Sequence, residues 1–273
     1  MGIVNVTPDS FSDGGLFLDA EAAVAHGLRL QDEGADILDV GGESTRPGAA
    51  PVAPEEQIRR VVPAIEGLVA RGVRAPISID TTRLAVASAA VEAGATYVND
   101  VSAFRTDPDL AGFVAERGLD CCLSHMRGDP RTMQAEAHYD DVVSEVKAFL
   151  EERLAAAIAA GIAEERIMLD PGIGFAKRLE HNLELLRRLD ELAALGRPIV
   201  IGTSRKSFLG RITGREADDR LPGTIATNVL ALERGASVFR VHDVAPVREA
   251  LLVAAATLGE RWTARSAGTT PTS

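Results

Sequence analysis

Side chains able to bind or react recur along this chain, each at the close of a short β-branched run. They are Asn5; Asp39 with Gly41, Gly42 and Glu43; Asp80; Asn99 and Asp100; Ser124 and His125; Asp170; Thr203, Ser204, Arg205 and Lys206; and Arg240, His242 and Asp243. Two chemistries separate within this set. Asp80, Asn99 and Asp170 offer carboxylate and amide groups suited to the edge of a nitrogen heterocycle. Lys206, Arg240 and His242 offer cations and donors suited to a phosphate. A hard cation held by Asn5 and substrate phosphates also fits, because Mg2+ takes few protein oxygens and keeps phosphate and water. His125 and His242 are isolated and show no HxxxH spacing, so a histidine metal cluster is not indicated. The stretch GTSRKS, residues 202–207, lacks the frame of a Walker A loop. Nothing marks a serine or cysteine as a nucleophile. Strand ends in a bare scaffold are polar too, since loops begin there. For Asp39 or Asp100 alone, and for a strand-end histidine, the scaffold reading stands level with the functional one. The set as a whole puts a heterocycle reader and an anion reader on one rim.

Such a rim needs elements that bring the strand ends together. Strand-like runs occupy residues 2–6, 35–40, 75–80, 96–101, 119–124, 166–170, 198–202 and 236–241. Amphipathic stretches between them read as helices over 19–33, 55–71, 83–93, 108–117, 141–160, 180–195, 222–234 and 245–258. Leu183, Leu186, Leu189 and Leu192 are read as one face of the sixth helix, and Pro222 suits the first turn of the seventh. Alternating strand and helix implies a parallel sheet. Eight such units in 273 residues predict a closed (β/α)8 TIM barrel, which takes about 250 residues. Its functional face is the C-terminal end of the strands. The loops after the first two strands are long and glycine-rich, a mark of functional loops. Met1 stands directly before the first strand, so the sequence supplies nothing to cover the barrel bottom from that side.

Bulk composition narrows the class further. Hydrophobic residues make up 46% and charged residues 25%, as in an ordinary globular protein. Aromatics are only 4%, so the core must be built from Val, Ile, Leu and Ala. A net charge of −11 argues against nucleic-acid binding, which needs a basic footprint. It does not forbid an anionic substrate, because a local field can oppose the global charge. No apolar run reaches the roughly 18 residues of a membrane span, and no secretory leader is visible. The two cysteines, Cys121 and Cys122, are adjacent and make no framework. A cytoplasmic enzyme is expected.

Seven stretches, in order, give the chain a family resemblance. They are GIVNVTPDSFSDGG (residues 2–15), DVGGESTRPGA (39–49), ISIDT (77–81), VNDVS (98–102), LDPGIGFAK (169–177), TSRKSFLG (203–210) and RVHDV (240–244). The chain resembles the dihydropteroate synthase family from Gly2 to about Thr257. That resemblance implies a pterin-binding barrel domain over residues 1–263; the small, polar composition of residues 264–273 reads as a disordered tail. It implies condensation of 6-hydroxymethyl-7,8-dihydropterin diphosphate with p-aminobenzoate, with Mg2+ as cofactor, sulfonamides as competitors and a homodimer as the assembly.

The resemblance also implies roles, position by position. Asp80, Asn99, Asp170 and Lys206 would hold the pterin, with Met126 in the pocket wall. Asn5, Arg240, His242, Thr45 and Arg46 would take the diphosphate, and Asn5 and Asp13 the metal. Phe11, Thr45, Pro47, Phe175, Lys206 and Ser207 would form the p-aminobenzoate pocket. Asp80, Asp170, Lys206, Arg46 and Asp13 would carry catalysis, with the first two loops closing over the site. A pterin-dependent methyltransferase is the competing enzyme reading, but it should lack the RPG loop (46–48) and the SRK motif (204–206). A non-catalytic pterin-binding scaffold would be favoured by loss of Lys206, Arg240 or the loop residues, and all are present.

Overall fold

A computed structural model describes residues 1–6, 16–44, 49–128, 133 and 136–259. In chain order the elements are β1 (Gly2–Asn5), α1 (Leu16–Asp32), β2 (Leu38–Gly41), α2 (Pro54–Ala70), β3 (Ile77–Asp80), α3 (Leu84–Ala93), β4 (Tyr97–Asp100) and α4 (Asp109–Arg117). The second half runs β5 (Asp120–Ser124), α5 (Val142–Ala159), β6 (Ile167–Asp170), α6 (Leu179–Arg187), α7 (Asp190–Ala193), β7 (Ile199–Ile201), α8 (Ser207–Thr213), α9 (Leu221–Glu233), β8 (Ala236–Phe239) and α10 (Val244–Leu258). The eight strands pair in sequence order, all parallel. A parallel bridge between Gly2 and Val241 closes β8 onto β1. The fold is the expected (β/α)8 barrel.

Strand alternation sorts the side chains into two layers. Val4, Leu38, Val40, Ile77, Ile79, Val98, Cys121, Leu123, Ile167, Leu169, Ile199 and Ile201 belong to one large cluster with the inner faces of the helices. This outer layer is the Val, Ile, Leu and Ala core that the composition requires. The inward set is smaller. Met1, Tyr97, Cys122 and Val200, with Ile37, Met168 and Val238, form a separate cluster inside the barrel. The lower part of the barrel is therefore filled from within, partly by Met1 itself. Above that plug the inward positions turn polar.

The helices begin and end for local reasons. In α2, Pro54 supplies a preset φ in the first turn and Glu55 and Glu56 meet the positive end of the helix dipole. Asp141 caps α5 by accepting from the Val143 and Ser144 amides at 2.9 and 3.2 Å. The α1–α2 contact is close because a Cβ at Gly67 would stand 2.6 Å from Val24 Cγ2.

Two expectations need correction. The helix read over 180–195 is two helices, α6 and α7, broken around Arg188 and Leu189. Leucines spaced by three drift around an α-helix, so over nine residues a straight one would carry Leu192 to about the opposite side from Leu183. The break keeps Leu185, Leu189 and Leu192 fully buried. Arg188 holds the bend, reaching Asp141 at 3.1 Å and Glu191 at 2.6 Å. The second correction is α8, an additional helix ahead of the one expected from residue 222. Its seven residues include Gly210 and end in Ile212 and Thr213, too short and too poor in helix formers to read from pattern. Phe11 and Asp13 on the first loop, Thr45, Arg46 and Pro47 on the second, and the tail over 264–273 lie outside the described residues.

Leu68 is fully buried and a Cβ at Gly27 would meet its Cδ2 at 2.8 Å. Leu68→Ala is expected to lower unfolding free energy by about 2–5 kcal/mol. Urea denaturation would read the loss, and a change below about 0.5 kcal/mol would contradict the α1–α2 packing described.

Candidate functional site

The register of the barrel fixes the first part of the site. Asn5, Gly41, Asp80 and Asn99 are consecutive partners across β1 to β4, so their Cα atoms share one layer at the strand ends. Gly41 contributes no side chain between Asn5 and Asp80. Asp39 stands two residues earlier on β2 and so points into the barrel one layer deeper, rather than closing the strand. Arg240 follows β8 and completes the ring.

These residues form one hydrogen-bonded network. Arg240 donates from Nε to Asp39 Oδ2 at 2.6 Å and from Nη2 to Asp80 Oδ2 at 2.7 Å. Asp39, with no exposure, also accepts from Asn99 Nδ2 at 3.1 Å and from Ser78 Oγ at 2.6 Å. The amide of Asn99 is thereby oriented, with its NH2 toward Asp39. Burial pushes the Asp80 carboxyl up from its ordinary range, against the pull of Arg240. Burial also opposes the Arg240 charge, but Asp39 and Asp80 outweigh it and hold the guanidinium above its usual value.

A second cluster comes from the loops after β6 and β7. Asp170 closes β6 and is buried, accepting from the Gly172 amide at 2.7 Å. Burial raises its carboxyl, opposed first by Lys206. Lys206 donates to Ile173 O and its ammonium stands 4.6 Å from the Phe175 ring centroid. Burial of that ammonium lowers it to about 8, opposed by Asp170 and Asp80 and helped by Arg240. The two clusters therefore feel one another's charge. Phe175 packs against Val101, Met126, Met133 and Ala176. Ser207 is the exposed first residue of α8.

Both loops are tightly held. Gly172 adopts φ +68°, and a Cβ there would lie 1.9 Å from His125 O. Ala176 is left-handed at φ 50° and its carbonyl accepts from Tyr139 OH at 3.0 Å. Lys177 is buried, donates to Phe175 O at 2.9 Å and meets His125 Nδ1 at 2.8 Å. Burial and the nearby Lys177 charge lower His125 to about 2, so its imidazole is neutral and accepts. On the β7 loop, Ser204 Oγ accepts from the His242 amide at 3.1 Å and meets its Nδ1 at 2.9 Å. Arg205, left-handed at φ 59°, forks onto Asp243 at 2.6 and 3.0 Å. Lys206 is thus presented between a loop bolted to β5 and a loop bolted to β8.

The structure brings together Asn5, Asp80, Asn99, Asp170, Lys206, Arg240, Met126 and Phe175 at the mouth, with His242 beside them through Ser204. It settles the residues whose reading was open. Asp100 is structural: fully buried, it accepts from the Ser102 and Phe104 amides at 2.6 and 2.9 Å and holds a turn in which Ala103 and Phe104 have positive φ. His125 is a satisfied residue behind the β6 loop. Asp39 is the hub of the mouth network, and Lys177 anchors the β6 loop. The sequence placed Asp39 at a strand end and Lys177 inside a motif but gave neither a partner. Among the described residues no three His, Cys, Asp or Glu side chains gather as a metal site, and no helix is long and apolar enough to cross a membrane.

Comparisons with known proteins give the family and the fold. Residues 1–242 match the family described as pterin binding enzyme. The dihydropteroate synthase of Escherichia coli strain K12 is 45% identical over 261 residues, covering 96% of this chain and 92% of that protein. Among solved structures, the Xanthomonas albilineans dihydropteroate synthase with 4-aminobenzoic acid has a TM-score of 0.89 and 51% identity, over 95% of this chain and 93% of the other. The Yersinia pestis dihydropteroate synthase in complex with a sulfonamide drug has a TM-score of 0.88 and 41% identity, over 94% and 93%.

Gly172→Ala must move His125 O and also adopt a strained φ, a penalty beyond the roughly 1–3 kcal/mol of such a conformation alone. The expected result is a clear fall in melting temperature with a disturbed β6 loop. Wild-type stability would contradict the close approach of that loop to β5.

Proposed function

The chain belongs to the pterin-binding enzyme family, and from that premise we propose that its barrel mouth performs the dihydropteroate synthase reaction. It condenses 6-hydroxymethyl-7,8-dihydropterin diphosphate with p-aminobenzoate, giving 7,8-dihydropteroate and diphosphate. The observation that carries this reading is the pair of clusters at the mouth. Asp80, Asn99 and Asp170 present acceptors at the strand ends, and Arg240 and Lys206 bring cations to the same opening.

Pterin donors match the Asp80 and Asp170 carboxylates and the Asn99 amide oxygen, with Met126 against the ring. The bond from the pterin methylene to the diphosphate oxygen can ionise, because ring electrons stabilise the cationic methylene. Asp80 and Asp170 favour that cation, and Arg240, His242 and Lys206 favour the departing diphosphate. Preorganised charge of this kind is usually the largest catalytic contribution. The p-aminobenzoate amine then attacks as a neutral nucleophile, so the route is SN1-like and needs no strong base. Phe175 and Ser207 would flank that acceptor, with Lys206 close to both ligands, and sulfonamides would compete there. Thr45, Arg46 and Pro47, with Phe11 and Asp13, belong to this reading as the loops that close over the mouth and exclude water.

Mg2+ suits the donor set. Asn5 offers an amide oxygen in the same layer as Asp80, and the ion takes its remaining ligands from phosphate and water. Asn5, joined by Asp13, would hold it, and its charge would neutralise the diphosphate. The assembly is read as a cytoplasmic homodimer. The supporting feature is an apolar groove on α9 and α10 lined by Ile225, Val229, Pro246, Ala250, Val253 and Leu258. Val253 there is 64% exposed, which a second copy would cover.

The test is product formation from the two substrates, with Mg2+ and with EDTA. Magnesium-dependent dihydropteroate suppressed by a sulfonamide is expected, and no product from folded protein would refute the reading. The same assay carries a pH signature. Lys206 is charged below about 8 and neutral above it. The KM for the anionic p-aminobenzoate should therefore rise as pH climbs through that value, and Lys206→Arg should remove the rise. A KM unchanged through that range in the wild type would take Lys206 out of the acceptor site.

A further inference from the structure

Arg240 meets its two carboxylates in unequal ways. Its single Nε–H is committed to Asp39 Oδ2 at 2.6 Å, deep in the barrel, where Asp39 has no exposure. Its contact to Asp80 runs through Nη2, at 2.7 Å, and lies at the mouth layer. The arginine side chain is 21% exposed. The η nitrogens carry four N–H donors between them, and one bond of theirs, to Asp80, joins the network. The ε edge is thus a buried tether and the η edge faces the opening. Asp39 keeps that arrangement whatever happens above it, because Ser78 and Asn99 fix both of its oxygens.

We propose that Asp39 is a positioning residue that tethers Arg240 through Nε, so that Nη2 passes from Asp80 to the diphosphate when a pterin occupies Asp80. The inference rests on the pterin-site reading above and deepens it. Without ligand, Arg240 and Asp80 neutralise one another. A pterin brings N–H donors to Asp80 and replaces what Arg240 supplied. The guanidinium, still tethered to Asp39, then turns its η donors to the phosphate oxygens, a pairing that is charge-assisted on both sides. Pterin and diphosphate therefore bind with positive coupling, although a pterin without its diphosphate adds no charge.

Asp39→Asn isolates the tether. The asparagine can place its oxygen where Oδ2 accepts from Arg240 and Asn99, and its NH2 where Oδ1 meets Ser78, whose hydroxyl also accepts. The hydrogen bonds survive and the charge is lost.

The experiment is titration calorimetry of the full chain with inorganic diphosphate in magnesium buffer, alone and with saturating 6-hydroxymethylpterin. In the wild type, pterin should tighten diphosphate binding at least about fivefold, within the usual range of coupling between sites. In Asp39→Asn the coupling should fall below about twofold. A merely structural role for Asp39 would weaken both ligands alike and leave the coupling ratio as in the wild type. Equal diphosphate affinity with and without pterin in the wild type overturns the proposal, as does full coupling in Asp39→Asn. If that variant does not fold, Asp80→Asn takes its place. It should bind diphosphate at the tight level without pterin, and wild-type coupling there would overturn the exchange. Failure of 6-hydroxymethylpterin to bind the wild type at all would instead sink the pterin site on which the inference stands.

Discussion

A guanidinium drawn into the wall of a closed barrel has to be neutralised by groups placed at the right depths. Arg240 meets Asp39 below the mouth and Asp80 at its rim, and these two depths organise much of what surrounds them. Removing one partner of a buried ion pair typically costs about 3–5 kcal/mol, because the other charge is left uncompensated. Asp39 in turn cannot stay buried unless both oxygens are satisfied, which calls for the Ser78 hydroxyl and the Asn99 amide on the neighbouring strands. One arginine thus constrains inward positions on β2, β3 and β4. It also leaves Asn99 with a defined orientation.

The other half of the mouth rests on loops, and it is held by a different device. Gly172, Ala176 and Arg205 sit in left-handed backbone regions, and for Ala176 and Arg205 strain of this kind persists only where surroundings over-determine it. Here the surroundings are visible. Lys177, Tyr139 and the close approach to His125 fix the β6 loop. The Arg205–Asp243 fork and the Ser204–His242 contacts fix the β7 loop. Lys206 bridges them, over Phe175 and against Ile173 O. Strand ends carry the acceptors of the mouth, and braced loops carry Lys206 and Phe175.

The barrel and its rim were legible in the sequence because both depend on period and position. β-branched runs of five or six residues alternate with amphipathic helices, and polar residues at the close of the runs fall on the C-terminal face of the barrel. Partners were not legible. Asp39 and Asp100 are both acidic residues within short apolar strands, yet one is the hub of the mouth and the other holds a turn. Alternation turns Asp39 inward, between the outward Leu38 and Val40, and Asp100 outward beside the inward Asn99, but the groups each then meets come only from the fold. Lys177 is similar, since its role comes from contact with His125, 52 residues away in sequence. The two errors in the helices have local causes. Spacing by threes imitates one helical face over a turn or two, although Leu183 and Leu192 require a break. A seven-residue helix containing glycine, α8, gives too little periodic signal to register.

The central claim is that this mouth stabilises separated charges, a pterin cation and a diphosphate, before the amine attacks. A secondary deuterium isotope effect at the pterin methylene tests it most directly. Both methylene hydrogens would be replaced and kcat/KM for the pterin diphosphate compared. Rehybridisation to a planar cation in the transition state predicts a clearly normal effect that changes little with the concentration of p-aminobenzoate. An effect near unity or inverse, in conditions where chemistry limits the rate, would mean that the amine displaces the diphosphate in a single step and would contradict the account.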